Sequence, residues 1–346
     1  MGIGIPDVHA AWKWYRNAFG INVPVFEEAA EANLMLPYTG GQPHQRHAIL
    51  AINPQGGGGM EIWQYTSRTP QPPAFDIHLG DLGFLVCKIK CRDVLLTHAE
   101  LKNKGLHPEP IVAMPDGRSH FFIADPYGNQ FELIESDSWF QNTGNVCGGV
   151  YGCTIGVSNM ERSMQFYADI LGYDQVLGDT EGVQPDLDGL PGGKRSLRRV
   201  TLTHSEPRRG SFSRLTGQSE IELLQITSGE AARPVFQDRF WGDLGFIHLC
   251  FDIKDMAGMR EKCRKHGHPF TVDSAVAHQD GFDMGEAAGN FSYIEDPDGA
   301  LIEFVETLKV PIMKKVGWYL DLRKRAPEKP LPNWMLKAMA LNRVRD

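Results

Sequence analysis

Two glutamates stand inside otherwise apolar, strand-like runs: Glu222 in SEIELLQ and Glu303 in ALIEFVE. Alternation along such runs turns one set of side chains toward the interior. A lone buried carboxylate is costly unless it is paired, hydrogen-bonded or ligated. Two carboxylates and one imidazole together suit Mn, Fe, Zn, Co or Ni and leave positions vacant for substrate oxygens. That is Lewis-acid chemistry, and it depends on the elements that bring such side chains together.

Those elements are repeated along the chain. GDLGFLVCKIKCRD, residues 80–93, returns as GDLGFIHLCFDIKD, residues 242–255. Each copy leads into a helical pattern ending at a glycine, Gly105 or Gly267, and then to a turn and a final strand, DPYGNQFELIE or DPDGALIEFVE. A second repeat is offset from the first: IGIPDVHAAWKWYRNAFG, residues 3–20, resembles IGVSNMERSMQFYADILG, residues 155–172. Asp7 and Asn159 sit where helix N-caps are expected, with Trp14-Tyr15 and Phe166-Tyr167 on the helices that follow. The chain therefore reads as four modules, each with the order strand, helix, several strands. They span about residues 1–68, 80–136, 150–228 and 242–308, with a polar, glycine-bearing linker at 137–149 and a basic tail at 309–346. One such module exposes an apolar sheet face and needs a partner, and pairing two closes a cleft between them.

In these repeats the chain resembles the vicinal-oxygen-chelate superfamily, which includes glyoxalase I, methylmalonyl-CoA epimerase, extradiol dioxygenases and bleomycin-resistance proteins. The resemblance covers roughly residues 1–308 and is carried best by NMERSMQFYADILG, GFIHLCFDIKD and DPDGALIEFVE. It implies an α+β fold of four βαβββ modules in two paired-module domains, 1–136 and 150–308. It also implies metal ligands from a first-strand histidine and a last-strand glutamate. Those positions are His248 and Glu303 in the fourth module, with Glu61, Glu132 and Glu222 as the other last-strand glutamates. The first-strand position carries Val86 in the second module and Gly152 in the third, and in the first it falls just before Met1. Either the protein lacks that ligand, or the sequence begins inside the first strand.

Pairing decides which glutamate joins His248. Adjacent pairing, preferred because the connections within each half look shorter, gives Glu222, His248 and Glu303. Pairing of the outer modules puts Glu61 in place of Glu222. The resemblance implies a lyase or isomerase holding one divalent ion (Zn, Ni, Mn, Co or Fe), which binds two adjacent substrate oxygens and stabilises an enediolate. Glu303 or Glu222 then moves a proton at carbon. An extradiol dioxygenase is the second enzymatic reading, weakened by the missing histidine at Gly152. The third is a non-catalytic protein that keeps the cleft and binds a small molecule.

Other positions are open. His47, Arg198 and Arg199 lie on strands and either face a cleft or make surface ion pairs. His278 and Asp280 stand in a polar loop that either covers a cleft or crosses the surface, and His78 and His120 are open in the same way. The tail segment LPNWMLKAMALNRVRD can form a short amphipathic helix with Trp334, Leu336, Met339 and Leu341 packing on its own domain or on a second subunit.

Bulk properties exclude several classes. The 346 residues suit two domains, and 42% hydrophobic with 23% charged residues is the composition of a folded protein. The net charge of −8 disfavours general nucleic-acid binding. No apolar run is long enough to cross a membrane, and the start lacks a secretory pattern. The six scattered cysteines form no finger-like spacing and read as structural thiols in a reducing, cytoplasmic setting. A small-molecule substrate is the expected partner, with a homodimer possible.

Overall fold

The computed structural model describes residues 1–277, 282–283, 288–313 and 318–345. The first module contains β1 (Gly2–Gly4), α1 (Val8–Phe19), β2 (Val23–Glu31), β3 (Gln45–Ile52) and β4 (Met60–Tyr65). The second has β5 (Gly83–Cys91), α2 (Val94–Asn103), β6 (Val112–Ala113), β7 (Ser119–Ala124) and β8 (Gln130–Glu135). The third has β9 (Cys147–Gly156), α3 (Met160–Leu171), β10 (Gln175–Val183), β11 (Ser196–Thr203), α4 (Ser213–Thr216) and β12 (Glu220–Ile226). The fourth has β13 (Gly245–Asp252), α5 (Met256–Lys265), β14 (Val272–Asp273), α6 (Ser274–Ala277), β15 (Phe282–Asp283), β16 (Ala288–Glu295) and β17 (Leu301–Met313). Beyond it come β18 (Trp318–Asp321) and α7 (Asn333–Ala338).

The four helices that follow the first strands start where the sequence predicts. Asp7 accepts hydrogen bonds from the backbone N–H groups of His9 and Ala10, and Asn159 accepts one from that of Arg162. Asp93 and Asp255 cap α2 and α5 in the same way. Helices α1 and α3 stop at Gly20 and Gly172, both with positive φ, which costs glycine little.

The sheets pair the modules differently from the expectation of adjacent pairing. One sheet runs β14-β16-β17-β13-β1-β4-β3-β2, with β15 on β16 and β18 on β17, and so joins the first and fourth modules. The other runs β10-β11-β12-β9-β5-β8-β7-β6 and joins the second and third. The physical reason is visible in the strands and connections. The segment between β8 and β9 is shorter than those between β4 and β5 or between β12 and β13, so the shortest connection joins the inner modules. The long strands β5 and β9 match in length and pair antiparallel. Adjacent modules still meet, through their helices. Tyr15 of α1 donates to Asp125 at 2.7 Å, and Tyr167 of α3 donates to Asp296 at 2.9 Å. These aspartates begin the DPYG and DPDG turns, so each repeat ties one module's helix to the next module's final hairpin.

Inside every module the first strand runs parallel to the last. The registers Gly2↔Glu61, Lys88↔Glu132, Thr154↔Glu222 and Cys250↔Glu303 set the four glutamates at equivalent places. The tail packs on its own chain: Leu322, Leu331 and Leu336 are buried with Val23, Ile52 and Leu215. Trp334 and Leu341, expected to pack, are 60% and 87% exposed instead, so the amphipathic stripe is narrower than the spacing suggests. The six cysteines carry free thiols. Among the described residues, no helix is long and apolar enough to cross a membrane.

Candidate metal centre

Strand β13 brings His248 into the cleft of the outer pair, and β4 and β17 bring Glu61 and Glu303 to it. His248 Nε2 lies 3.1 Å from Glu61 Oε2 and 3.3 Å from Glu303 Oε2. The imidazole is wholly buried, yet neither of its ring nitrogens makes a hydrogen bond of acceptable geometry. A single N–H could serve only one carboxylate, whereas here two converge on the same nitrogen. An orphaned buried nitrogen beside two carboxylates fits a divalent cation. The donors available are one nitrogen and two oxygens, a set that Zn, Mn, Fe, Co or Ni accepts.

The surroundings hold these side chains in place. Tyr293 donates to Glu303 Oε1 at 2.8 Å, and the Trp241 ring stacks near the imidazole at 6.1 Å between centroids. Strand β1 crosses directly behind the ring. A Cβ added at Gly2 would fall 2.4 Å from His248 Nε2, so only glycine lets the strand pass there. Burial raises the Glu303 carboxyl above its ordinary value, and repulsion from Glu61 adds to this against the pull of His248. For Glu61 burial opposes ionisation too, but the contact with His248 and the charge of Arg46 bring it below the ordinary range. The two carboxylates are thus pushed apart in acidity.

The centre opens into a cavity of about 670 Å³ with mainly apolar walls, among them Phe26, Leu34, Trp63, Tyr173 and Phe212. Residues 204–219, between β11 and β12, reach over it from the third module, and Met339 reaches it from the tail.

Glu222, expected beside His248, lies in the other cleft, because its module pairs with the second rather than the fourth. That cleft is filled with buried ions supplied by the chain. Lys88 Nζ lies 3.0 Å from Glu132, 3.4 Å from Glu220 and 3.4 Å from Glu222. Arg199 bridges Glu222 at 2.7 Å and Asp186 at 2.5 Å, and His120 Nδ1 lies 2.7 Å from Glu132. Burial opposes the charge on Lys88 and on His120. The carboxylates around them outweigh it, raising the Lys88 ammonium far up its range and His120 to about 9.

Of the open positions, Arg199 and His120 therefore face the inner cleft, whereas Arg198 is a surface residue paired with Asp179 at 3.0 Å. His47 points away from the cavity toward Glu27 and His9 of α1. His78 is half-buried, its backbone N–H bonded to Asp81. His278 and Asp280 lie outside the described residues. Sequence reasoning held Glu61 only as the alternative and missed Tyr293, Trp241 and Lys88. A usable signal for Lys88 existed: a lysine in an apolar strand, aligned by the GDLGF repeat with Cys250.

The family model described as Glyoxalase/Bleomycin resistance protein/Dioxygenase superfamily matches residues 1–133 and 151–304. Among solved structures, glyoxalase I from Zea mays aligns with a TM-score of 0.55 at 16% identity, covering 88% of this chain and 90% of that one. A putative dioxygenase from Bacillus subtilis aligns with a TM-score of 0.52 at 13% identity, covering 88% and 83%. No curated protein matches the sequence.

Proposed function

Because the chain belongs to the Glyoxalase/Bleomycin resistance protein/Dioxygenase superfamily, we propose that it is a metal-dependent lyase or isomerase acting on a substrate with adjacent oxygens at Glu61, His248 and Glu303. The observation that carries this reading is the convergence of two carboxylates on one buried imidazole nitrogen that has no hydrogen bond. A divalent cation held there supplies Lewis-acid polarisation of a substrate carbonyl, which acidifies the neighbouring C–H.

The side chains divide the remaining work. Glu61, whose pKa the contact with His248 lowers, serves as an anionic ligand. Glu303 is the proton carrier of this reading: it lines the cavity beside His248, and burial with repulsion from Glu61 raises its pKa above the ordinary value. Tyr293 orients that carboxyl through its 2.8 Å hydrogen bond. The apolar cavity walls exclude water from a reactive carbanion-like species. One imidazole and two carboxylates favour proton transfer over ring cleavage, which the extradiol reading builds on a second neutral ligand.

Elemental analysis of untagged protein tests the proposal. Near-stoichiometric metal in the wild type, lost in H248A, E61A and E303A, is expected. Iron as the resident ion would move the reading toward the dioxygenase, and no uptake of any of the five ions would leave a cleft that only binds its small molecule.

A further inference from the structure

The connection between β11 and β12, residues 204–219, is much longer than its counterparts 53–59, 125–129 and 296–300. It reaches the outer pair's cavity, where Phe212 and Leu215 form part of the apolar wall. The loop is anchored at several points. The Gly57 N–H donates to the Leu215 carbonyl at 2.9 Å, and the Leu331 N–H donates to that of Ser211 at 2.8 Å. Arg214 donates to Asn333 at 3.0 Å. Inner and outer module pairs thus share one binding cavity.

Arg208 and Arg209 line this cavity from the same loop. Neither has an ion-pair partner among the described residues, and both are exposed. Arg46, the third arginine of the lining, is already committed to Glu28 at 2.7 Å. The remaining carboxylates outside the centre are Glu31, which accepts from Gln45, and Asp252, whose pKa burial and the neighbouring Glu306 raise to about 7, while Lys254 pairs with Glu306 at 3.2 Å. The two loop guanidiniums therefore form the unpaired positive charge of the cavity wall. Guanidinium forks are suited to oxyanions.

A volume of about 670 Å³ lies in the range of roughly 300–1,000 Å³ typical of pockets for drug-sized ligands. It far exceeds what a pair of adjacent oxygens requires. Building on the function proposed above, we infer that the substrate is an amphipathic oxyacid. Its adjacent oxygens meet Glu61, His248 and Glu303, its apolar ring or chain lies along the walls, and a terminal carboxylate or phosphate is held by Arg208 and Arg209.

Two dyes of similar apolar body, anilinonaphthalene sulfonate and uncharged phenylnaphthylamine, probe this directly. Fluorescence titration is expected to give roughly tenfold tighter binding of the sulfonate to wild type. In R208A/R209A the two dyes should bind alike, with the neutral dye and the metal content unchanged. Displacement of the sulfonate by naphthoate or by naphthyl phosphate then tells which oxyanion the arginines prefer. Equal binding of both dyes to wild type, a sulfonate preference that survives R208A/R209A, or no binding of either dye would overturn the inference. The metal assay above is independent of these titrations, so a failed centre and a failed anion subsite are distinguishable.

Discussion

Lys88 Nζ lies 3.0 Å from Glu132 Oε2, on the strand position that Cys250 occupies opposite Glu303. The same register thus yields opposite electrostatics in the two clefts. In the outer pair the position carries a thiol, and the carboxylates converge on an imidazole. In the inner pair the chain supplies its own ammonium among Glu132, Glu220 and Glu222.

Lys88→Met keeps most of the stem but removes the charge from among three buried carboxylates. Removing one partner of a buried ion pair costs about 3–5 kcal/mol. Urea denaturation should therefore register a loss of that order, while the metal content of the outer centre stays at the wild-type value. A variant within about 1 kcal/mol of wild type would show that Arg199 and His120 balance the inner cleft without Lys88.

Glu222 and Glu61 exchange roles depending on how the modules pair, which makes them a sharp comparison. E61Q should lose the metal, because Glu61 lies 3.1 Å from His248 Nε2. E222Q should retain it and lose stability, because Glu222 holds Arg199 and Lys88 in the other cleft. Metal analysis and thermal melting of both variants read the two effects separately. Metal loss in E222Q with retention in E61Q would contradict the observed sheet order.

The repeats, the helix caps and the strand position of each glutamate were legible in the sequence because they are local: periodicity, capping residues and turn signals repeat at fixed offsets. His248 and Glu303 were legible together because one module supplies both. Glu61 was not chosen, since its approach to His248 depends on β1 pairing with β13, far apart in the sequence. Strand periodicity does not encode which of two equivalent sheet edges meet, and the short connection between β8 and β9 bears on it only once the strand ends are known. The adjacent modules do touch, through Tyr15–Asp125 and Tyr167–Asp296, so the sequence order was realised in helix packing and not in the sheets. Lys88 was passed over because a lysine in a strand is usually solvated, and only its burial among three carboxylates gives it a role.

The inner cleft should also report pH. His120 is fully buried between Glu132 and Asp186, and its pKa is raised to about 9 against an ordinary 6.5. A raised pKa means that the folded state binds the proton more tightly than the unfolded chain. The resulting stability is fully present below about pH 6.5, declines above it, and is lost once the pH passes about 9. The full effect is on the order of 3 kcal/mol. Melting curves from pH 6 to pH 10 on wild type and H120Q check it: the slope across this window should be steeper in wild type. Parallel profiles would mean that His120 does not carry the proton.

Gly2 offers the most selective perturbation of the candidate metal centre, because it lies against His248 and has no side chain to offer as a ligand. Any Cβ there would meet the imidazole at 2.4 Å. The ring cannot retreat far, being wholly buried beside Trp241 and Tyr293. Gly2→Ala should therefore turn the imidazole away from Glu61 and Glu303 while leaving all three donors in the sequence. Changes to groups that orient a ligand typically weaken metal affinity by about 10–100-fold, and a loss in that range is expected by competition with a chelator. The inner cleft is remote from this contact, so the pH-dependent stability assigned to His120 should be unchanged in the same variant. Wild-type affinity in Gly2→Ala would mean that β1 can shift to accommodate the methyl group, and that the position of His248 is set by its ring neighbours alone.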